Sequence, residues 1–272
     1  MAKYFVQEIP KTDRIPRLVA HLYAKMPEIE SARARLITES YRATEDKPIV
    51  MRRALAFAHI LDNIPIIIRD DELVVGSSTI APRGCQTYPE FSYQWLEAEF
   101  DTVAARKADP FYIAEQTKRE LREADAYWEG RTTSELATSL MAEETKKAIE
   151  HNIFTPGNYF YNGVGHVTVQ YDKVLAVGYE GIIAQAQEEL AGCNLGDGDY
   201  CTKSRFLEAV IISCRAAIRY ARRYAALAEE QASFCGDAAR KRELLDIAAN
   251  CRQVPARGAR SFHEACQSFW FV

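Results

Sequence analysis

Asn63-Ile-Pro-Ile-Ile-Ile-Arg-Asp-Asp-Glu-Leu-Val-Val-Gly76 interrupts a chain that otherwise reads as helix. Pro65 to Arg69 and Glu72 to Gly76 are short apolar runs on either side of Asp70-Asp71. Aspartate tolerates turn conformations, so the pattern predicts two short strands about a two-residue turn, a β-hairpin. Upstream, Pro48 suits a first helical position and opens a helix that carries Ala54, Leu55, Ala58 and Leu61 inward. Another helix starts near Ser31, and Ile15, Leu18, Val19, Leu22 and Met26 form one apolar face that Pro27 stops.

Downstream, Ser77 to Glu90 is rich in turn formers, and Thr132 with Glu135 has capping-box spacing at a helix start. Asn152 to His166 reads Asn-Ile-Phe-Thr-Pro-Gly-Asn-Tyr-Phe-Tyr-Asn-Gly-Val-Gly-His, which makes no regular element. Its glycines point to tight turns or close backbone approach. Asp172 is placed to cap a helix reaching Leu190, and Gly192 to Asp199 is a loop. The longest helix then carries Leu207, Val210, Ile211, Cys214, Ala217, Ile218, Ala221, Tyr224, Ala225 and Ala228 on one stripe. Asp237 starts a further helix, and Ser261 with Glu264 has capping-box spacing at the last one. That helix runs out in Ser-Phe-Trp-Phe-Val272 with no closing signal. The end reads either as a truncation or as a short helix tucked back into its own core. No repeat, low-complexity segment or convincing linker divides the chain.

The chain has 272 residues, 48% of them hydrophobic, enough for a substantial core. Its formal net charge of -4 and scattered Lys and Arg give no footprint for nucleic acid. Apolar runs such as Ile64 to Ile68 are too short to span a bilayer, and the first residues do not read as a secretory signal, so a cytoplasmic protein without membrane contact is expected. Seven cysteines, with no close pair, argue against a disulfide framework and against metal clips; Cys214, Cys251 and Cys266 read as core residues.

His166, at the end of the glycine and aromatic segment, is the strongest candidate for chemistry, because a histidine held by such backbone can move a proton near neutral pH. The plain alternative is a structural histidine bonded to a loop carbonyl. His59, His21 and His263 lie on helices without metal-ligand spacing. Cys85 shows no activating neighbour, Asp197 and Asp199 lack the rest of a calcium loop, and Gly163-x-Gly165 lacks the third glycine of a dinucleotide loop.

Several blocks resemble the pyruvate formate-lyase family of glycyl radical enzymes. These are Arg52-Arg-Ala-Leu-Ala with Asn63 to Gly76, Pro82-Arg83 with Tyr88-Pro-Glu-Phe91, Glu30 to Tyr41, and Ser261 to Phe271, all in the expected order. Thr132 to Ser139 and Gly157-Asn-Tyr-Phe-Tyr-Asn-Gly-Val-Gly-His-Val167 are similar to the cobalamin-independent glycerol and propanediol dehydratase branch. The resemblance implies that residues 1–272 are the N-terminal portion of the family domain, truncated at the C-terminal end: mainly α with a short β-hairpin, part of a ten-stranded α/β barrel. It implies a glycyl radical, installed by a radical S-adenosylmethionine activase and passed to a central cysteine, neither of them in this part of the chain. It implies a small diol substrate, a homodimer when full length, a substrate-bonding role for His166 and a site-lining role for Asn158. Such a fragment would be inactive alone. Other lyases of the family, and a non-catalytic helical scaffold, are the alternatives.

Overall fold

The computed structural model describes residues 12–156, 165 and 167–272. The described elements begin with α1 (Arg14–Tyr23), β1 (Glu28–Glu30), α2 (Ala32–Ala43), α3 (Ile49–Asn63) and β2 (Gly84–Gln86). Then come α4 (Gln94–Glu97), α5 (Glu115–Asp125), α6 (Thr133–Ser139) and α7 (Glu143–Glu150). The last four are α8 (Tyr171–Ala191), α9 (Tyr200–Phe234), α10 (Ala238–Gln253) and α11 (Phe262–Phe271). Among the described residues, no helix is long and apolar enough to cross a membrane.

Alanine sets the geometry of the centre. Ala216, Ala217, Ala221, Ala225, Ala228 and Ala232 are buried along α9. Alanine favours helix, and its small side chain lets neighbouring helices approach closely. α3, α8 and α10 use that room and pack against α9. The helix expected to bury one stripe is therefore buried on several sides. The main core gathers Tyr220, Tyr224 and Ile247 with Ile60, Ile64, Ile68 and Val75. A second core, of Ile29, Leu96, Phe100, Val103 and Leu121, lies under α4 and α5.

The hairpin expected over residues 65–76 is absent. Its turn is present: the Glu72 N–H donates to the Arg69 carbonyl at 3.3 Å, with Asp71 left-handed at φ 66°. The runs on either side do not pair with one another. The segment instead forms an extended strap whose backbone is capped by side chains of three helices. Arg223 of α9 donates to the Leu61 and Ile64 carbonyls, and Gln231 to Ile68 at 3.3 Å. Arg240 of α10 donates to the Arg69 and Glu72 carbonyls at 3.1 and 2.8 Å. His263 of α11 lies 2.9 Å from the Leu73 carbonyl. Gln267, fully buried, accepts from the Val75 N–H at 2.9 Å and donates to the Val75 carbonyl at 2.7 Å. Tyr220 and Tyr224 both donate to the Ser77 carbonyl. A buried backbone group needs a partner but not a second strand, and here side chains supply it. Burying Ile64, Ile68 and Val75 adds about 1.5–3 kcal/mol each.

The observed sheet lies outside the strap. β1 and β2 pair in parallel, Glu28 opposite Gly84 and Glu30 opposite Gln86. The link between them is long, as a parallel pair requires.

Side-chain caps form at three described helix starts, α6, α10 and α11, while Ser31 makes none at α2. Thr132 and Glu135 form the reciprocal box, and Asp237 accepts from the Ala239 and Arg240 amides. Ser261 accepts from the Glu264 N–H, while the Glu264 carboxylate turns back to the Arg260 N–H at 2.6 Å. Asp172 falls in the first turn of α8, and Gln170 is the cap residue. At the end of the chain, Phe271 enters the core with ring centroids 5.9 Å from both Tyr220 and Tyr224. Phe269 and Trp270 stay 55% and 59% exposed.

Candidate functional site

His166 and Asn158 lie outside the described residues. What is described is how the chain enters and leaves their segment. α7 is followed by Asn152, left-handed at φ 54°, with the Ile153 N–H returning to the Ala148 carbonyl at 2.9 Å. On the other side Val167 is 82% exposed, and α8 begins four residues later.

The remaining sequence candidates are structural. His59 lies 3.0 Å from Glu39 and 3.3 Å from Asn63. His263 tethers the strap, and His21 sits exposed in the last turn of α1. Burial pushes the Cys214 and Cys251 thiols up to about 11 and about 12, which makes them inert core residues. Cys266 is only partly buried. Loss of solvation raises the Cys85 thiol as well, the opposite of an activated nucleophile. Among the described residues no three His, Cys, Asp or Glu gather as metal ligands, Asp197 and Asp199 included.

The structure adds a cleft that no sequence pattern announced. It has a volume of about 860 Å³ and opens between α2, α3, the 86–91 segment and the 128–133 segment. Ile37, Ile60, Phe57, Phe91 and Trp128 give it an apolar wall. Arg33, Arg53 and Arg131 line it as well, and Arg33 is held firmly in place. The guanidinium stacks on Tyr88 at 3.7 Å, donates to the Thr87 carbonyl at 3.0 Å and pairs with Glu90. Such a bidentate, stacked arrangement is specific to arginine. Tyr41 packs on Trp128 at 5.0 Å, and Trp128 donates to Thr38 at 2.8 Å, closing the floor. Arg33 and Glu90 are 57 residues apart, and no local spacing links them.

One buried carboxyl stands out beside the second core. Asp125, at the end of α5, is 3% exposed, and its pKa is pushed up to about 7 by burial and then by the charge of Glu97. It does not line the cleft.

Residues 9–272 match the pyruvate formate lyase-like family. The structure reported for 1,2-propanediol dehydration in Roseburia inulinivorans is similar at a TM-score of 0.95 and 66% identity, covering 97% of this chain and 32% of that one. The glycerol-bound, B12-independent glycerol dehydratase from Clostridium butyricum gives a TM-score of 0.94 and 52% identity over 100% of this chain and 34% of that one. The (2S)-3-sulfopropanediol dehydratase of Klebsiella oxytoca is 35% identical over 264 residues, 95% of this chain and 32% of the relative. The chain thus spans about a third of the length of the relatives it matches. A helical frame shared at this closeness, over a match that runs nearly end to end, places the chain in the pyruvate formate lyase-like family of glycyl radical enzymes.

Proposed function

We propose that this chain forms part of a glycyl radical diol dehydratase that converts glycerol or propane-1,2-diol to an aldehyde and water. The supporting observation is a graded identity: 66% to the propanediol-dehydration structure and 52% to the glycerol dehydratase, against 35% to the sulfopropanediol enzyme. A small uncharged diol fits that gradient better than a sulfonated one.

A glycyl radical, installed by a radical S-adenosylmethionine activase, is the implied cofactor, and it supplies hydrogen-atom abstraction at the hydroxyl-bearing carbon. Two described cysteines, Cys214 and Cys251, do not fit as its thiol partner. Cys214 and Cys251 are sealed in the core, and no described cysteine lines the cleft. The part assigned to this chain is therefore binding and proton handling. His166 bonds a substrate hydroxyl and assists its departure as water, and Asn158 bonds the neighbouring hydroxyl. The sequence features that support this reading are the glycines at 163 and 165 and the aromatics Tyr159, Phe160 and Tyr161 of the same segment. General acid–base help of this kind typically supplies ~10²–10⁴-fold in rate.

The test is His166→Ala in the activated, complete enzyme, read by aldehyde formation and by the electron paramagnetic resonance of the glycyl radical. Turnover should fall by about that factor while the radical remains. Near-normal turnover would show that His166 is structural. The 272-residue chain alone, in the same assay, should form no aldehyde.

A further inference from the structure

The cleft between α2 and α3 carries more positive charge than its own carboxylates answer. Arg33, Arg53 and Arg131 line it, and Arg52 stacks its guanidinium 4.5 Å from the ring of Tyr41, another lining residue. Glu90 pairs with Arg33, and Glu45 pairs with Arg131. Arg52 spends its hydrogen bonds on neutral partners, the Tyr41 carbonyl at 2.9 Å and the Tyr127 hydroxyl at 3.1 Å. Arg53 pairs with no carboxylate among the described residues, and its charge reaches the Tyr41 phenol. A guanidinium keeps its charge at any physiological pH, so the surplus is permanent.

The apolar part of the cleft is equally unfinished. Ile37, Ile60 and Trp128 are buried beneath it, whereas Ile49, Phe57 and Tyr88 line it and remain exposed. Large apolar groups left open in a concavity edged by charge mark a place where something binds. The walls are set in advance. The Thr133 N–H donates to the Glu90 carbonyl at 3.1 Å and the Ser134 N–H to the Phe91 carbonyl at 3.0 Å, which joins the two loop walls. Gln86 accepts from the Arg33 N–H at 3.0 Å and ties them to α2. A cleft held in this way loses little freedom when it is filled. Its volume of about 860 Å³ lies in the range of small-molecule sites.

We infer that the cleft binds a carboxylate with a flat apolar body, its charge at Arg53 and its body on the wall that includes Phe57 and Trp128. The inference does not rest on the role of His166. A carboxylate answers the unpaired guanidinium with charge-assisted hydrogen bonds, which contribute on the order of 10–100-fold in affinity. The rival occupant is a stretch of the complete polypeptide outside residues 1–272, because the chain spans about a third of the length of its relatives.

The experiment therefore uses the complete enzyme, in which such a stretch would already fill the cleft. The probe is naphthoate, a two-ring carboxylate. Equilibrium titration should give one site with a Kd of about 0.1–1 mM. Naphthylmethanol, the same body without the charge, should bind at least about 10-fold more weakly. Arg53→Gln should weaken naphthoate by a similar factor, and Phe57→Ser should weaken it from the apolar side. Both side chains are exposed, so the variants should keep the Tm of the parent. If the complete enzyme takes up no naphthoate at millimolar concentration, the polypeptide itself occupies the cleft and the proposal falls. It falls as well if acid and alcohol bind alike, or if Arg53→Gln and Phe57→Ser both bind naphthoate as the parent does.

Discussion

Replacing Asp125 with asparagine should make the protein less sensitive to rising pH. Asp125 is 3% exposed, and burial, then the charge of Glu97, pushes its pKa from 3.8 to about 7. In the unfolded chain it returns to the ordinary aspartate value. Between these two values the native state holds a proton that the unfolded state has lost. Stability contributed by the neutral carboxyl is thus complete below pH ~4 and drains away as pH rises through ~7. The difference of about three pKa units is worth at most about 4 kcal/mol, and about 2–3 kcal/mol of it falls between pH 5 and pH 8. The amide of the Asp125→Asn variant carries no such proton to lose. Urea denaturation of both proteins at pH 5 and pH 8 measures the gap directly. The variant should gain on the parent by about 2–3 kcal/mol over that interval, a midpoint shift of roughly 1 M. A gap that stays constant with pH, or that moves the other way, would refute the argument, because the carboxyl would then be ionised and stabilised in the fold.

Other changes test the strap and α8, which Gly178 interrupts at φ 64°. Gln267→Leu leaves the Val75 N–H and carbonyl unpaired in a dry site and should cost about 2–6 kcal/mol in urea denaturation. Gln267→Glu can make both bonds only when protonated, so its penalty should be small near pH 4 and grow toward pH 8; a penalty independent of pH would show that the pair does not form. Gly178→Ala forces a side chain into left-handed backbone, with its Cβ 2.4 Å from the Arg257 Cα. It should cost about 3–5 kcal/mol and lower Tm by roughly 6–15 °C. Gly198→Ala, where nothing lies within 4 Å, should leave Tm unchanged; equal effects at both sites would remove the case for a tight junction.

The helices are legible because their signals are local. Thr132 with Glu135, Asp237 with the amides two and three residues on, and the apolar spacing of α9 all act within a few residues. The strap misleads for the complementary reason. Its composition suits a strand, but the bond partners of its backbone sit on Arg223, Arg240 and Gln267, well over a hundred residues away. Composition records the demand for partners and not their source. The break in α8 leaves a faint trace in Gly178 and Gly181, each costly in a helix interior. The pairing of Arg33 with Glu90 and the buried state of Asp125 leave none, since each is a product of tertiary packing. Of the site, the segment around His166 stands out by its glycines and aromatics, whereas the cleft at Arg33 can be found only in three dimensions.

The strap also sets an order in time. Val75 is made 192 residues before Gln267, the side chain that satisfies its backbone. At ribosomal speeds of about 5–20 residues per second, roughly 10–40 seconds separate the two. Until α9 and α10 are made, Ile64 to Ile68 and Leu73 to Val75 lack part of the helix surface that buries them. The nascent protein carries a sticky, strand-like ribbon with nothing to pair it. It can be held by a chaperone, or it can pair wrongly with another nascent copy. Slowing synthesis between the strap and α9 should therefore cost yield without changing the stability of the molecules that do fold.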